Sequence, residues 1–230
     1  MPRALRTFPN LASIGLFNLT LVDWNASATF APEQASLSTI EFALVNLSGI
    51  PEALLQPSLP SALIDIEFSH TNLTSLPANL HEFWPSMEVL YLEYSEIREV
   101  PETLLHMDLF DVSLAGNHLE NVSRLADGRP GAAYLSLCFN PLQSLPETIP
   151  STSLFSSLAF LNLHHTQVRR MPEWINTIPA DSVLAVGTPF CEDESETRAA
   201  DFSVVCSGDN DRQNGSFPFA FVMGNLDPAL

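Results

Sequence analysis

Seven times along the 230-residue chain an aliphatic residue is followed by two others, a second aliphatic, one other and a third aliphatic or phenylalanine, at intervals of 22 to 26 residues. A unit that short cannot bury its own apolar face, whereas stacked copies can, so the chain must build a solenoid. The clearest copies read Leu109, Val112, Leu114, Asn117, Leu119, Val122 and then Ala132, Leu135, Leu137, Asn140, Leu142, Leu145. Three more keep the same frame: Leu63, Ile66, Phe68, Thr71, Leu73, Leu76; Met87, Leu90, Leu92, Ser95, Ile97, Val100; and Leu158, Leu161, Leu163, Thr166, Val168, Met171. Two earlier copies are looser: Leu37, Ile40, Phe42, Val45, Leu47, Ile50 and Leu11, Ile14, Leu16, Leu19, Leu21, Trp24.

Alternation of the central aliphatics puts them on one face of a short strand. The Leu-Pro or equivalent endings at Pro51, Pro77, Pro101, Pro146 and Pro172 close each buried run, since proline has no ladder donor and holds its predecessor extended. In this register the units resemble the leucine-rich repeat family over roughly residues 11 to 191. The resemblance implies an α/β solenoid, a curved stack with a parallel concave sheet and short helical or irregular convex connections. It also implies a role for the asparagine position, whose side chain in the family bonds backbone groups left unpaired where the chain turns out of the strand. Thr71, Ser95, Asn117, Asn140 and Thr166 can do this; Leu19 and Val45 cannot, so the first two repeats are expected to be irregular. Trp84 and Trp174 are expected in the convex-side core. The expected organisation is about seven repeats over 1–190, a cap over 191–206 and a flexible tail over 207–230.

A chain with 46% hydrophobic residues has ample material to fold. Its 27 acidic residues face 9 basic ones, all arginine, for a net charge of −18. That balance repels nucleic-acid phosphate and anionic lipid, which excludes both as partners. No apolar run is long enough to span a bilayer. Catalytic signatures are missing too: there is no Gly-x-Ser-x-Gly, no phosphate-cradling glycine loop and no zinc spacing. His164-His165 has no ligand partner at a recognisable spacing and reads as a pair of exposed histidines on a binding face, and Glu192 to Glu196 lacks the order of a calcium loop. Neither an enzyme, a cofactor nor a metal site is expected.

Cys191 and Cys206 flank an acidic segment past the last repeat, and Gly187 to Cys191 looks like the start of the cysteine-containing C-terminal cap of extracellular leucine-rich repeat proteins. That likeness implies a Cys191–Cys206 disulfide; two reduced thiols in a cytosolic protein are the alternative. Cys138 is left over, an ordinary small side chain. Asn18, Asn25, Asn46, Asn72, Asn121 and Asn214 each begin Asn-x-Ser/Thr, where random placement would give roughly two, so N-glycosylation outside the cell is expected. Met1 to Asn10 has no apolar stretch of signal-peptide length, which favours reading the chain as a fragment of a longer secreted protein or receptor ectodomain; a longer chain that also bears a kinase is the weaker reading.

Function in such a fold falls to the side chains between the aliphatics, since only they leave the sheet on its far side. The partner-binding set expected there is Glu41, Asp65, Glu67, His70, Glu88, Tyr91, Glu93, Tyr94, Asp111, Tyr134, Phe160, Asn162, His164 and His165, with Phe110 and Phe139 among them. Tyrosine gives large contact area with few rotatable bonds, and the carboxylates would select a protein or peptide carrying Arg or Lys. The expectation is an extracellular recognition module; the alternative is an intracellular adaptor that docks a signalling enzyme. The pattern does not fix the ligand or the oligomeric state.

Overall fold

The structure is a computed structural model that describes residues 3–31, 34–57, 59–199, 204–207 and 216. Eight strands run in chain order through one sheet: β1 (Ser13–Leu21), β2 (Thr39–Leu47), β3 (Asp65–Ser69), β4 (Val89–Glu93), β5 (Asp111–Ser113), β6 (Tyr134–Ser136), β7 (Phe160–Asn162) and β8 (Val183–Leu184). Every strand pairs parallel with the one before. This is the leucine-rich repeat solenoid.

The aliphatic spine is continuous. Ile14, Ile40, Ile66, Leu90, Val112, Leu135, Leu161 and Val183 stand in register from strand to strand, and all are buried. Two residues on, Leu16, Phe42, Phe68 and Leu92 form a second paired row, in which the Phe42 and Phe68 rings stack at 4.7 Å. Short turns cover the back of these rows: 3-10 segments such as Glu52–Leu54, Glu102–His106 and Glu173–Thr177, and one helical turn, α1 (Leu80–Phe83). The prolines at 51, 101 and 172 sit at the cap positions of those 3-10 segments, and their carbonyls accept the first turn bonds from Leu54, Leu104 and Ile175. Trp84 and Trp174 are buried on this side, as expected. Their indoles donate to the carbonyls of Leu54 and Pro146 in the preceding repeats, at 2.8 Å each.

The count differs from seven because β8 belongs to a further turn built on Val183, Ala185, Thr188 and Phe190. Alanine at its third position is too small to register as part of an aliphatic pattern. Thr188 stands where asparagine would, donating to the Ala185 carbonyl at 2.7 Å and capping α2 (Pro189–Glu192), which leads into α3 (Glu194–Ala199). The far edge of β8 is closed by Val205, which bridges Leu184 in parallel. Its N–H donates to Val183 and its carbonyl accepts from Ala185. A Cys191–Cys206 disulfide fastens that returning segment, so the last strand offers no open ladder on which another chain could pair.

The first two repeats solve the turn differently. β1 and β2 are nine residues long and stay paired past the usual exit, through Leu19 with Val45 and Leu21 with Leu47. With apolar residues at the asparagine position, no side chain can satisfy a turned backbone, so the strands satisfy each other. β3 does turn away, and Asn72 reaches back to Leu47, accepting its N–H at 2.7 Å and donating to its carbonyl at 2.9 Å.

Candidate functional site

The face of the sheet turned away from the spine carries the variable residues in rows. One row runs Asp65, Val89, Asp111, Tyr134, Phe160; the next runs Glu41, Glu67, Tyr91, Ser113, Ser136, Asn162. A third, two positions on, holds Ala43, Ser69 and Glu93 in register, followed at the same repeat position by Ala115, Cys138 and His164. Alternation along each strand therefore delivers most of the expected binding residues to one surface. Glu88 lies just outside it, exposed in the loop before β4, where its carbonyl accepts from Phe110 and Asp111.

Immediately before each asparagine position lies a residue in left-handed conformation: Asn18, Leu44, His70, Tyr94, Gly116, Phe139, His165 and Gly187, with φ between 46° and 73°. An L side chain there is unfavourable by about 1 kcal/mol or more. It is held because the backbone N–H at this point reaches the next strand: His70 donates to Glu93, Tyr94 to Ala115, Gly116 to Cys138, Phe139 to His164 and His165 to Val186. The rings so presented line up. His70 stacks on Tyr94 at 4.5 Å and Phe139 on His165 at 4.7 Å, while Tyr94 and Phe139 lie 6.3 Å apart across Gly116. Glycine is required between them, since a Cβ on Gly116 would stand 2.3 Å from the Tyr94 ring. The position was visible in the sequence as the residue before Thr71, Ser95, Asn117, Asn140 and Thr166, but its conformation was not.

A second rail of rings runs along the opposite side, Phe110 against Tyr134 at 5.6 Å and Tyr134 against Phe160 at 6.2 Å. Between the rails of repeats five to seven the floor is small or polar: Ser113, Ser136, Asn162, Ala115, Cys138 and His164. The expectation of a solvent-facing surface needs correction here. Tyr91, Glu67, Glu93, Asp111, Asn162 and His164 are all buried; Glu93 and His164 are 1% exposed. His165 is exposed, but His164 is not, and its ring nitrogens make no hydrogen bond of ordinary geometry. Burial and the neighbouring His165 hold the His164 imidazole below the usual histidine range.

The N-terminal half of the face is electrostatically tense. Burial, then the carboxylates of Asp65, Glu41, Glu93 and Asp111, push the Glu67 carboxyl up to about 9. Burial and Glu41 raise Asp65 to about 6, and burial raises Glu41. Glu67 Oε2 and Asp65 Oδ1 are both buried, and a hydrogen bond between the two side chains offsets part of the rise at Asp65. At neutral pH Glu67 is thus a protonated acid, because charging it beside several carboxylates out of water is costly. Tyr91 donates to Asp111 at 3.1 Å, and Ser113 donates to Glu93. Glu93 also accepts, at 2.5 Å, from the backbone N–H of Ser216, 123 residues further along the chain. Cys138 is buried and unpaired by disulfide, its thiol pushed up to about 12 by burial.

Among the described residues no group of three or more His, Cys, Asp or Glu is placed to hold a metal ion, and no helix is long and apolar enough to cross a membrane. Asn18, Asn25, Asn46, Asn72 and Asn121 are solvent-exposed, while Asn214 lies outside the described residues, as does most of 207–230.

No protein-family model matches the chain. Over 134 residues, 57% of this chain and 88% of the relative, it is 28% identical to fibromodulin of Oryctolagus cuniculus, and over the same span 29% identical to fibromodulin of Sus scrofa. With the eight-strand parallel sheet and its in-register aliphatic spine, that likeness identifies the architecture as that of a leucine-rich repeat protein.

Proposed function

We propose that this chain is an extracellular recognition module that takes a protein or peptide segment along the outward, concave face of its sheet. The observation that carries the reading is the trough of repeats five to seven. Two aromatic rails, Phe110-Tyr134-Phe160 and Tyr94-Phe139-His165, flank a floor of Ser113, Ser136, Asn162, Ala115, Cys138 and His164. Rings on rigid strands give contact area at little entropic cost, and the carboxylates on the same face, Asp111 on β5 with Asp65 and Glu41 beyond it, favour an occupant with Arg or Lys. The disulfide, the exposed sequon asparagines and the likeness to fibromodulin support a place outside the cell. No feature of the face supports catalysis: no nucleophile is activated, and the Cys138 thiol is held in its unreactive form.

The test is capture of partners from extracellular fluid by the immobilised chain, beside a folded Tyr134→Ala, Phe160→Ala variant and a convex-side Glu173→Ala control. Each lost aromatic anchor should cost about 2 kcal/mol of binding, so the double variant releases its partners and the control keeps them. Equal capture by all three removes the trough from the account. Glycosidase treatment of protein from a secreting cell should shift its mobility, which the alternative of an intracellular adaptor does not allow. Asn72 is expected to be the least used sequon, since its amide is engaged with Leu47.

A further inference from the structure

Glu93 lies on the outward side of a one-layer sheet and yet is 1% exposed. His164, in the same row, is buried to the same degree, and at Glu93 a residue from far along the chain lies against the carboxylate. The residue seen there is Ser216, whose backbone N–H donates to Glu93 Oε1, while the Ser113 hydroxyl donates to the same oxygen and holds the carboxylate in place. The Ser216 side-chain oxygen is itself buried. We propose that the outward face recognises an extended segment through main-chain N–H groups donated to Glu93, and that the chain's own C-terminal segment through Ser216 is its resident occupant, which an outside partner must displace.

The covalent layout allows it. Val205 is bridged to β8 and Cys206 is tied to Cys191, so the segment starts from a fixed point at the end of the sheet. From β8 to β4 is four strand spacings, about 19 Å, and the ten residues from Cys206 to Ser216 (216 − 206) can span up to about 33 Å. A tether of that length holds its end at an effective concentration on the order of millimolar, so even a weak contact stays made. The gating consequence rests on the recognition role proposed above; the seating of Ser216 does not.

Cys138 supplies the reporter. It is a free thiol, fully buried, in the same row as Glu93 and two strands away, about 10 Å. In the full chain, maleimide labelling of Cys138 should be slow for the wild type and for Ser216→Ala, which keeps the N–H, and faster by roughly tenfold or more for Ser216→Pro, which lacks it. A synthetic peptide of residues 207–222 added to Ser216→Pro should restore the slow rate. Amide exchange should also show Ser216 protected in the wild type. Exchange of Ser216 at the rate of an unstructured chain, unchanged labelling in Ser216→Pro, or faster labelling that the peptide does not reverse would each overturn the proposal. No outside partner enters the experiment, so its failure leaves the trough reading standing, and failed partner capture leaves the Ser216 contact standing.

Discussion

Two stretches of this solenoid, its first repeats and its middle ones, hold the same turn by different means. In repeats five and six the chain leaves the strand after three residues, and one asparagine side chain gathers the loose backbone. Asn117 accepts from Ile97 and donates to Leu92 and Leu114, and Asn140 accepts from Leu119 and donates to Leu114 and Leu137. In repeats one and two Leu19 and Val45 occupy that position, the strands run nine residues, and backbone bonds to backbone. Neighbouring repeats impose a common spacing on both solutions, which is why Ile14 to Val183 remain in register across the change. A repeat position is therefore specified by the hydrogen bonds that must be made there, and a side chain or a longer ladder can make them. The halves differ as sharply on the outward face: carboxylates crowd β2 to β5, while rings dominate from β5 onward.

The contrast is tested most severely at Asn140. Its replacement by alanine strands several buried backbone groups and should cost about 3 kcal/mol or more, whereas Val45→Ala, which deletes only buried methyl groups, should cost about 1.5–2 kcal/mol. Equal losses in denaturant unfolding would erase the distinction between side-chain and ladder repeats.

A smaller effect separates the acidic half from the aromatic one by pH. The folded-state pKa of Glu67, about 9, is raised above its ordinary value of 4.5, so its stabilising contribution is complete below pH 4.5 and is lost as pH climbs through 9. Asp65 acts in the same sense between its ordinary 3.8 and about 6. The melting temperature should fall from pH 5 to pH 9, and Glu67→Gln should flatten that slope and gain about 2–4 °C at pH 8, equivalent to roughly 1 kcal/mol. A variant that melts in parallel with the wild type at every pH would show that Glu67 is not the strained acid.

The smallest expected change lies at the left-handed position. Leu44→Gly should stabilise by about 0.5 kcal/mol, since Leu44 has φ 56° and is 36% exposed. Gly116→Ala, at φ 66° against the Tyr94 ring, should destabilise. Thermal unfolding of the pair gives both signs, and a gain from Gly116→Ala would contradict the glycine's role.

Much of this architecture was legible because it is local and periodic. The spacing of Ile66, Leu90, Val112, Leu135 and Leu161 fixed strand register, and the hydroxyl or amide at 71, 95, 117, 140 and 166 announced the turn. The eighth repeat escaped because Ala185 carries too little apolar surface to stand out, and the tryptophan positions were readable because Trp84 and Trp174 fall in the connections that follow the closing prolines. The candidate site was legible as a set of positions but not as an environment. Glu67, Glu93 and His164 belong to the outward face by alternation, and alternation says nothing about what lies over them.

By itself the sequence determined the solenoid, its polarity and the residues each face receives, since these follow from side-chain period and turn chemistry acting over fewer than about 30 residues. Only the tertiary structure decided the left-handed stack of rings, the protonated Glu67 and the meeting of Glu93 with Ser216. Each depends on groups far apart in the chain sharing a volume without water, where hydrogen bonds and charges take energies that no local pattern records.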